Sequence, residues 1–370
     1  VFLSVSLVLV LLVAGMLTAG RHTEEELFKA MGNLAEVVHL VTTEYVDELN
    51  QNALALSLDA GLVESVDPWA AVLPAESVDA YRQLLDSPPP FGLGLGIRLS
   101  SAAVRHTVAG SPAADAGLET WEVIELIDGV NTRGRPLWQI RLELMERELT
   151  GQSVKLTVVD RLVDDRREVV LEPESWLPEA VTVDDREGVQ VVQVVCLPGG
   201  ASGDVRRMVG RDSPVVLDLR ELVWGVEKEA IATASLFVDA GILGIWKGRR
   251  AGEESFEAAA GAVSDQLPVV VVDGNTEGVG EILAAALQRA GATIVGRQTI
   301  GHAPHMRLVE DGDLFMWLPV AHWLRLDGEP INGNGIDPDE LVEHDAGDDE
   351  SDPLLERALE LVRVELAKAA

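Results

Sequence analysis

The first twenty positions of the chain are uncharged and mostly Val, Leu and Ala, and Arg21, His22 and Glu24 to Glu26 follow them. A helix of that length rises about 30 Å, enough to span the hydrocarbon core of a bilayer. Residues 1–20 therefore read as a transmembrane anchor or as a signal segment cleaved near Thr18 or Gly20. No basic segment precedes the apolar run, which favours a single-pass anchor in the cell membrane. Either reading puts the bulk of the chain in the periplasm or otherwise outside the cytoplasm. Residues 24–86 follow a helical pattern: Leu27, Met31, Leu34, Val38 and Val41 recur at three- and four-residue steps. Asp67-Pro68 breaks it, and Pro88-Pro89-Pro90 closes the region as a stiff linker.

Residues 91–174 have a β-rich pattern. A glycine loop, Phe91-Gly92-Leu93-Gly94-Leu95-Gly96-Ile97, runs into a strand. Ser111 to Gly117 is a short helix with both ends marked: Ser111 can cap it, Pro112 suits the first helical position and Gly117 the stop. A strand over Val123 to Ile127, a turn at Asp128-Gly129, a helix from Trp138 to about Leu149 and a strand from Ser153 to Asp160 complete the unit.

Residues 176–345 alternate strands and helices. Val189 to Cys196, Pro214 to Leu219, Leu267 to Val272 and Thr293 to Val295 are apolar runs of strand length, while Ala230 to Phe237 and Gly280 to Ala290 have helical spacing. The alternation predicts α/β architecture around a mostly parallel sheet. Residues 344–352 are acidic and read as solvated, and residues 353–368 as a last amphipathic helix.

Composition alters this picture in one respect. Apolar residues make up 47% and charged residues 25%, an ordinary globular balance, but the net charge is -33. Such a surface repels phosphate backbones, which excludes nucleic acid as a partner. Lysine occurs only at Lys29, Lys155, Lys228, Lys247 and Lys368. The single cysteine, Cys196, rules out a disulfide framework within one chain and reads as a small buried hydrophobe.

Several segments resemble, in order, the carboxyl-terminal processing peptidases, also called tail-specific proteases. Glu44-Tyr45-Val46-Asp47-Glu48 and Asp67-Pro68 resemble their early helical motifs. Ser111 to Leu118 resembles the S-P-A-x-x-A-G-L stretch of their PDZ domains. Leu217-Asp218-Leu219-Arg220 and Ala234-Ser235-Leu236-Phe237 match L-D-L-R and A-S-L-F. Glu281 to Gln288, Val295-Gly296 with Thr299-Ile300-Gly301, and Gly333 to Asp339 match the helix after the nucleophile, V-G-x-x-T-F-G and G-x-G-I-x-P-D. The resemblance implies a ClpP/crotonase-like core with an inserted PDZ domain and an N-terminal helical segment. It also implies polypeptide C-termini or unfolded segments as partners and no cofactor.

In that family a serine at a helix N-terminus attacks the peptide bond and a buried lysine takes its proton, while backbone N–H groups hold the oxyanion. Here the S-A-S-A-S-E stretch becomes Thr276-Glu277-Gly278-Val279-Gly280-Glu281, with Gly278 at the nucleophile position. G-K-G-x-V-Q becomes Gly301 to Met306, with His302 for the lysine and Met306 for its polar partner. No serine lies between Ser264 and Ser351 and no lysine between Lys247 and Lys368, so no shift of register recovers either. The N-N-P-G-G loop becomes Glu221-Leu222-Val223-Trp224-Gly225, leaving Gly225 and Val279 as oxyanion-like positions, with Trp224 able to fill the cleft. A pseudopeptidase that binds C-termini without cutting them, with an active paralogue as a partner, is the first reading.

Two readings compete with it: an active enzyme with Thr276 as nucleophile, and a scaffold that neither binds nor turns over peptide. Thr276 also reads as a helix cap. His302 and His305 lie i, i+3 apart with Pro304 between them, which suggests a loop of hydrogen-bonded histidines rather than a metal site. Gly94, Leu95, Gly96 and Ile97 read as a peptide-binding loop and strand edge, because a phosphate loop would need a Lys-Ser/Thr ending. Glu119-Thr120-Trp121-Glu122 departs from the family's K-P-G-D turn. The scattered tryptophans, Trp121 among them, are expected in cores.

Overall fold

The computed structural model describes residues 28–67, 70–86, 95–97, 102–108, 110–160, 165–173, 179–210, 213–220, 222, 224–264, 266–343 and 352–369. The chain divides into two units, residues 1–62 and 63–370. In the first, residues 28–44 form a helix, and a second helix, Gln51–Glu64, begins there and crosses the boundary. The predicted anchor, residues 1–20, lies outside the described residues. Among the described residues no helix is long and apolar enough to cross a membrane.

The second unit opens with a short strand, Ala71–Leu73, and the helix Ala75–Asp86. A β-rich module follows. Leu95–Ile97 pairs antiparallel with Val104–Thr107. A four-stranded antiparallel sheet runs in the order Val130–Asn131, Val123–Ile127, Val154–Asp160, Asp165–Leu171. The helix Leu137–Thr150 covers it, with Ile140 and Leu144 in a core shared with Val104, Ile124, Ile127, Leu156 and Val158. The short helix Pro112–Asp115 is capped as its sequence predicts: the Ser111 hydroxyl accepts the Ala114 N–H at 3.2 Å, and Gly117 turns left-handed at φ 67°.

The remainder is a two-sheet core. One sheet has six strands in the order Glu340–Leu341, Ile294–Gly296, Val269–Val272, Val215–Asp218, Val189–Val194, Val181–Arg186, parallel except for the last pair. Successive side chains of a strand face opposite ways, and the central strand shows what that does. Val270 and Val272 pack under the helix Val279–Ala290, while Val269 and Val271 pack under the C-terminal helix Pro353–Ala369. All four valines are buried, each contributing roughly 1.5–3 kcal/mol.

The second sheet is antiparallel and corrects the expectation of one mostly parallel sheet. Leu314–Trp323 pairs with Pro304–Asp311 on one side, and with Ala71–Leu73 and Ile242–Gly248 on the other; Gly252–Glu257 completes it. These strands were missed because their faces mix aromatic, charged and small residues without a clean alternation. Pro304, expected in a loop, opens one of them. Trp138, Trp246 and Trp323 are buried as expected, but Trp121 is 63% exposed.

Candidate functional site

Asp273 follows the strand Val269–Val272, and six residues after it the helix Val279–Ala290 begins. Ligand sites of parallel sheets sit at this carboxyl end of the strands. The Asp273 carboxylate accepts the backbone N–H groups of Asn275 at 2.9 Å and Thr276 at 3.2 Å, which tightens the turn. The Thr276 hydroxyl accepts the Asp273 N–H at 3.1 Å and donates to the Leu219 carbonyl at 3.3 Å, and the residue is fully buried. Thr276 therefore ties two strand ends together and does not cap the helix. The N-cap is Gly278, at φ 56° and ψ -113°, a conformation that only glycine adopts without strain. A Cβ at Gly278 would meet nothing closer than the His302 carbonyl at 3.9 Å. The Val279 N–H belongs to the first turn of the helix that follows.

Glu281, one turn into that helix, is fully buried. Its carboxylate accepts N–H groups from Gly301 at 2.7 Å, His302 at 2.8 Å and Gly278 at 3.2 Å, and the Thr299 hydroxyl. Burial pushes its pKa up, against the pull of these four donors. Thr299 in turn accepts the Ile336 N–H at 2.8 Å. A single carboxylate thus clasps segment 299–302 to the helix start, and the segment from Gly333 to Asp339 is joined through it. Gly301, at φ 80°, has no room for a Cβ, which would lie 2.7 Å from the Gly335 nitrogen.

His302 and Glu277 face each other, Nδ1 to Oε1 at 3.2 Å, with side chains 14% and 8% exposed. Arg105, from the strand Val104–Thr107 of the β-rich module, is buried beside them. It pairs with the Glu277 carboxylate and donates to the Asn275 carbonyl. Burial, with the fields of Arg141 and Arg105, lowers the His302 pKa to about 3. The imidazole is neutral at physiological pH.

His106, next to Arg105, is neutral too: burial and the Arg105 charge lower its pKa to about 4. Both histidines take up protons near pH 6.5 when unfolded. Below that pH the unfolded chain binds more protons, so stability present above pH 6.5 is lost as the pH falls toward 4 and then 3. The unfolding free energy from urea titrations should drop between pH 7.5 and 5, by about 1–2 kcal/mol for each histidine. His106→Gln should remove its share of the drop. An equal drop in that variant would contradict the assignment.

Met306 lies half-buried on the strand Pro304–Asp311, opposite Pro319. His305, on the same strand, holds the Glu227 carboxylate at 3.1 Å, which raises its pKa, and its ring lies 5.3 Å from that of Trp246. Gly225 follows half-buried Trp224 in a short strand parallel to Cys196–Leu197, where a Cβ would strike Leu197 at 2.7 Å. The Cys196 thiol is buried and its pKa is pushed up to about 11. Of the predicted peptide-binding residues, Leu95, Gly96 and Ile97 form the strand paired to Val104–Thr107, and Gly94 lies outside the described residues. Among the described residues, no three His, Cys, Asp or Glu side chains are grouped to hold a metal ion.

The structure brings Thr276, Gly278, Val279 and His302 together. It adds Arg105, Glu227, Glu277 and Glu281, to which sequence reasoning gave no role, and pairs His305, read from the sequence as a hydrogen-bonded histidine, with Glu227. Glu281 matches the family pattern and could have been found there. Arg105 carries no local signal, since its partners lie in a distant part of the chain.

Residues 210–342 match the model of peptidase family S41. A carboxy-terminal-processing protease of Bartonella bacilliformis is 26% identical over 360 residues, covering 93% of this chain and 81% of its own length. A probable CtpA-like serine protease of Staphylococcus aureus is 24% identical over 328 residues, covering 85% of this chain and 65% of its own length. Among solved structures, a photosystem II D1 C-terminal processing protease superposes with a TM-score of 0.65 at 19% identity, covering 82% of this chain and 85% of its own. That likeness is one of fold. The chain carries a peptidase family S41 domain.

Proposed function

We propose, for a chain built on a peptidase family S41 domain, that it is a pseudopeptidase: it holds polypeptide segments, C-termini above all, and does not cut them. One observation carries this reading. At the helix start where the family resemblance puts a nucleophile and its base stand Gly278, without a side chain, and a His302–Glu277–Arg105 cluster. Glycine cannot attack a carbonyl, and the nearest hydroxyl, Thr276, is buried with both of its hydrogen bonds made inside the protein. Neutral His302 has its Nδ1 side engaged by a carboxylate that is itself paired to an arginine.

Binding is the part of the family's work that this arrangement leaves possible. Residues 91–174 serve as a PDZ domain, with a peptide adding as a strand along Leu95–Ile97, opposite the helix Leu137–Thr150. Gly94 and Gly96 then belong to the loop that receives the terminal carboxylate. Gly225 and Val279 keep the place of the old oxyanion donors. Residues 1–20 anchor the chain in the membrane with its bulk outside the cytoplasm, where it presents clients to an active paralogue or competes with one.

The test uses the full chain in detergent, with unstructured substrates ending in apolar residues. The expected result is saturable binding that is lost on amidation of the C-terminus, with no cleavage product. Turnover that disappears in Thr276→Ala would overturn the reading and make Thr276 the nucleophile.

A further inference from the structure

The helix over residues 28–44 carries an apolar stripe that stays exposed. Leu27, Met31, Leu34, Val38, Val41 and Tyr45 step by four, three, four, three and four residues, which are the a and d positions of an unbroken heptad repeat. Lys29, Glu36 and Thr43 all fall at f, on the far side, while Phe28, Ala30, Ala35 and Val37 widen the stripe at e and g. Phe28, Met31, Leu34, Val37, Val41 and Tyr45 are 38–72% exposed. Together they present on the order of 600 Å² of apolar surface, as much as the largest patch of a typical monomer. A standard interface buries about 800 Å² per partner, and Leu27 and Val38 bring the stripe toward that size.

A helix of this length is marginal in water by itself, because its own hydrogen bonds barely offset the cost of nucleation, and helices in proteins are held by a packed apolar face. The second helix of the unit, Gln51–Glu64, leaves this face open. A lipid surface fits it poorly. Helices that lie on membranes carry lysine and arginine along the polar face, and here Lys29 stands alone against Glu36 and Glu44 in a chain of net charge -33. A second copy of the same helix fits it well. In a parallel pair each a or d residue meets its own counterpart, and a branched residue at a with leucine at d, as Val38 and Leu34 are, favours two strands. Lys29 and Glu36 then stay in water on the outer face.

We infer that this stripe is a self-association surface: two copies of the chain pair through their helices over residues 28–44 in a parallel, in-register coiled coil. The pairing uses none of the residues that the polypeptide-holding reading relies on, and it stands or falls separately.

Sedimentation of the full chain in density-matched detergent measures the association, for wild type and for the double variant Leu34→Glu, Val38→Glu. Wild type is expected as a dimer at micromolar concentration. The variant should associate about a hundredfold more weakly, because two charges then face their like across an apolar seam. Its main thermal unfolding transition should match that of wild type. Oxidation with copper phenanthroline should give a disulfide-linked dimer of Leu34→Cys and none of Glu36→Cys, whose thiol lies on the outer face. Cys196 is buried and common to both.

A monomeric wild type would overturn the inference, whatever then covers the stripe. A variant that still dimerises would place the contact elsewhere, residues 1–20 included, and overturn it as well. Loss of the main unfolding transition together with the dimer would make the stripe part of the folding core rather than a surface. Cross-linking that is equal at the two cysteines, or absent at Leu34→Cys, would overturn the in-register pairing.

Discussion

Replacing Arg105 with methionine is expected to lower the stability of the chain by about 3–5 kcal/mol, the usual cost of removing one partner from a buried ion pair. Methionine keeps much of the side-chain length and removes the charge. Glu277, only 7% exposed, then keeps a carboxylate with no guanidinium beside it, and the Asn275 carbonyl loses a donor. His302 faces the same carboxylate at 3.2 Å. Its proton affinity should rise from the depressed value, since the Glu277 charge is no longer cancelled.

The double variant Arg105→Met, Glu277→Gln removes both charges and should recover most of the loss, because the two residues are coupled and their effects do not add. Urea unfolding followed by tryptophan fluorescence measures all three proteins. A single variant within 1 kcal/mol of wild type, or a double variant as unstable as the single, would remove the pair from the account of how the module is held to the core.

Glu281→Gln should cost about 3 kcal/mol, although it changes only one heavy atom. The carboxylate accepts from four donors and gives none. Glutamine turns an NH2 group toward at least one of them, so a buried N–H loses its acceptor, at roughly 1–3 kcal/mol per group. Relief of the cost of burying a charge offsets part of this. The local signature is more specific than the global one: the amides of Gly301 and His302 should exchange hydrogen faster, while those of the strand Val269–Val272 keep their protection until global unfolding. Unchanged exchange at both amides would show that segment 299–302 is held by something other than this carboxylate.

Much of the frame was legible in the chain itself. Val123 to Ile127 forms a strand with the predicted bounds, and the helices predicted at Gly280 to Ala290 and at 353–368 begin or end within a residue of expectation. The helix expected over Ala230 to Phe237 forms three residues earlier, over Glu227–Ala234, because Glu227 and Glu229 suit a first turn and were not weighed. The predicted strand Val189 to Cys196 is interrupted at Val195; beyond the break Cys196 and Leu197 pair with Trp224 and Gly225, partners the local pattern does not reveal. At the site, the places of Gly278 and His302 came from motif order, while the buried state of Thr276 did not.

The sequence by itself determined that no serine lies between Ser264 and Ser351 and no lysine between Lys247 and Lys368, so neither stands at the positions that the motif order aligns with Gly278 and His302. It also determined the alternation of strands and helices, since period-2 and period-3.6 apolar patterns are properties of neighbouring residues. Only the tertiary structure decided what stands in place of the missing groups. Arg105 meets Glu277 because the module packs on the core. Glu281 gathers four donors because segment 299–302 returns to the helix start. Contacts between residues far apart in sequence are set by how sheets and helices pack, and a local pattern carries no record of them.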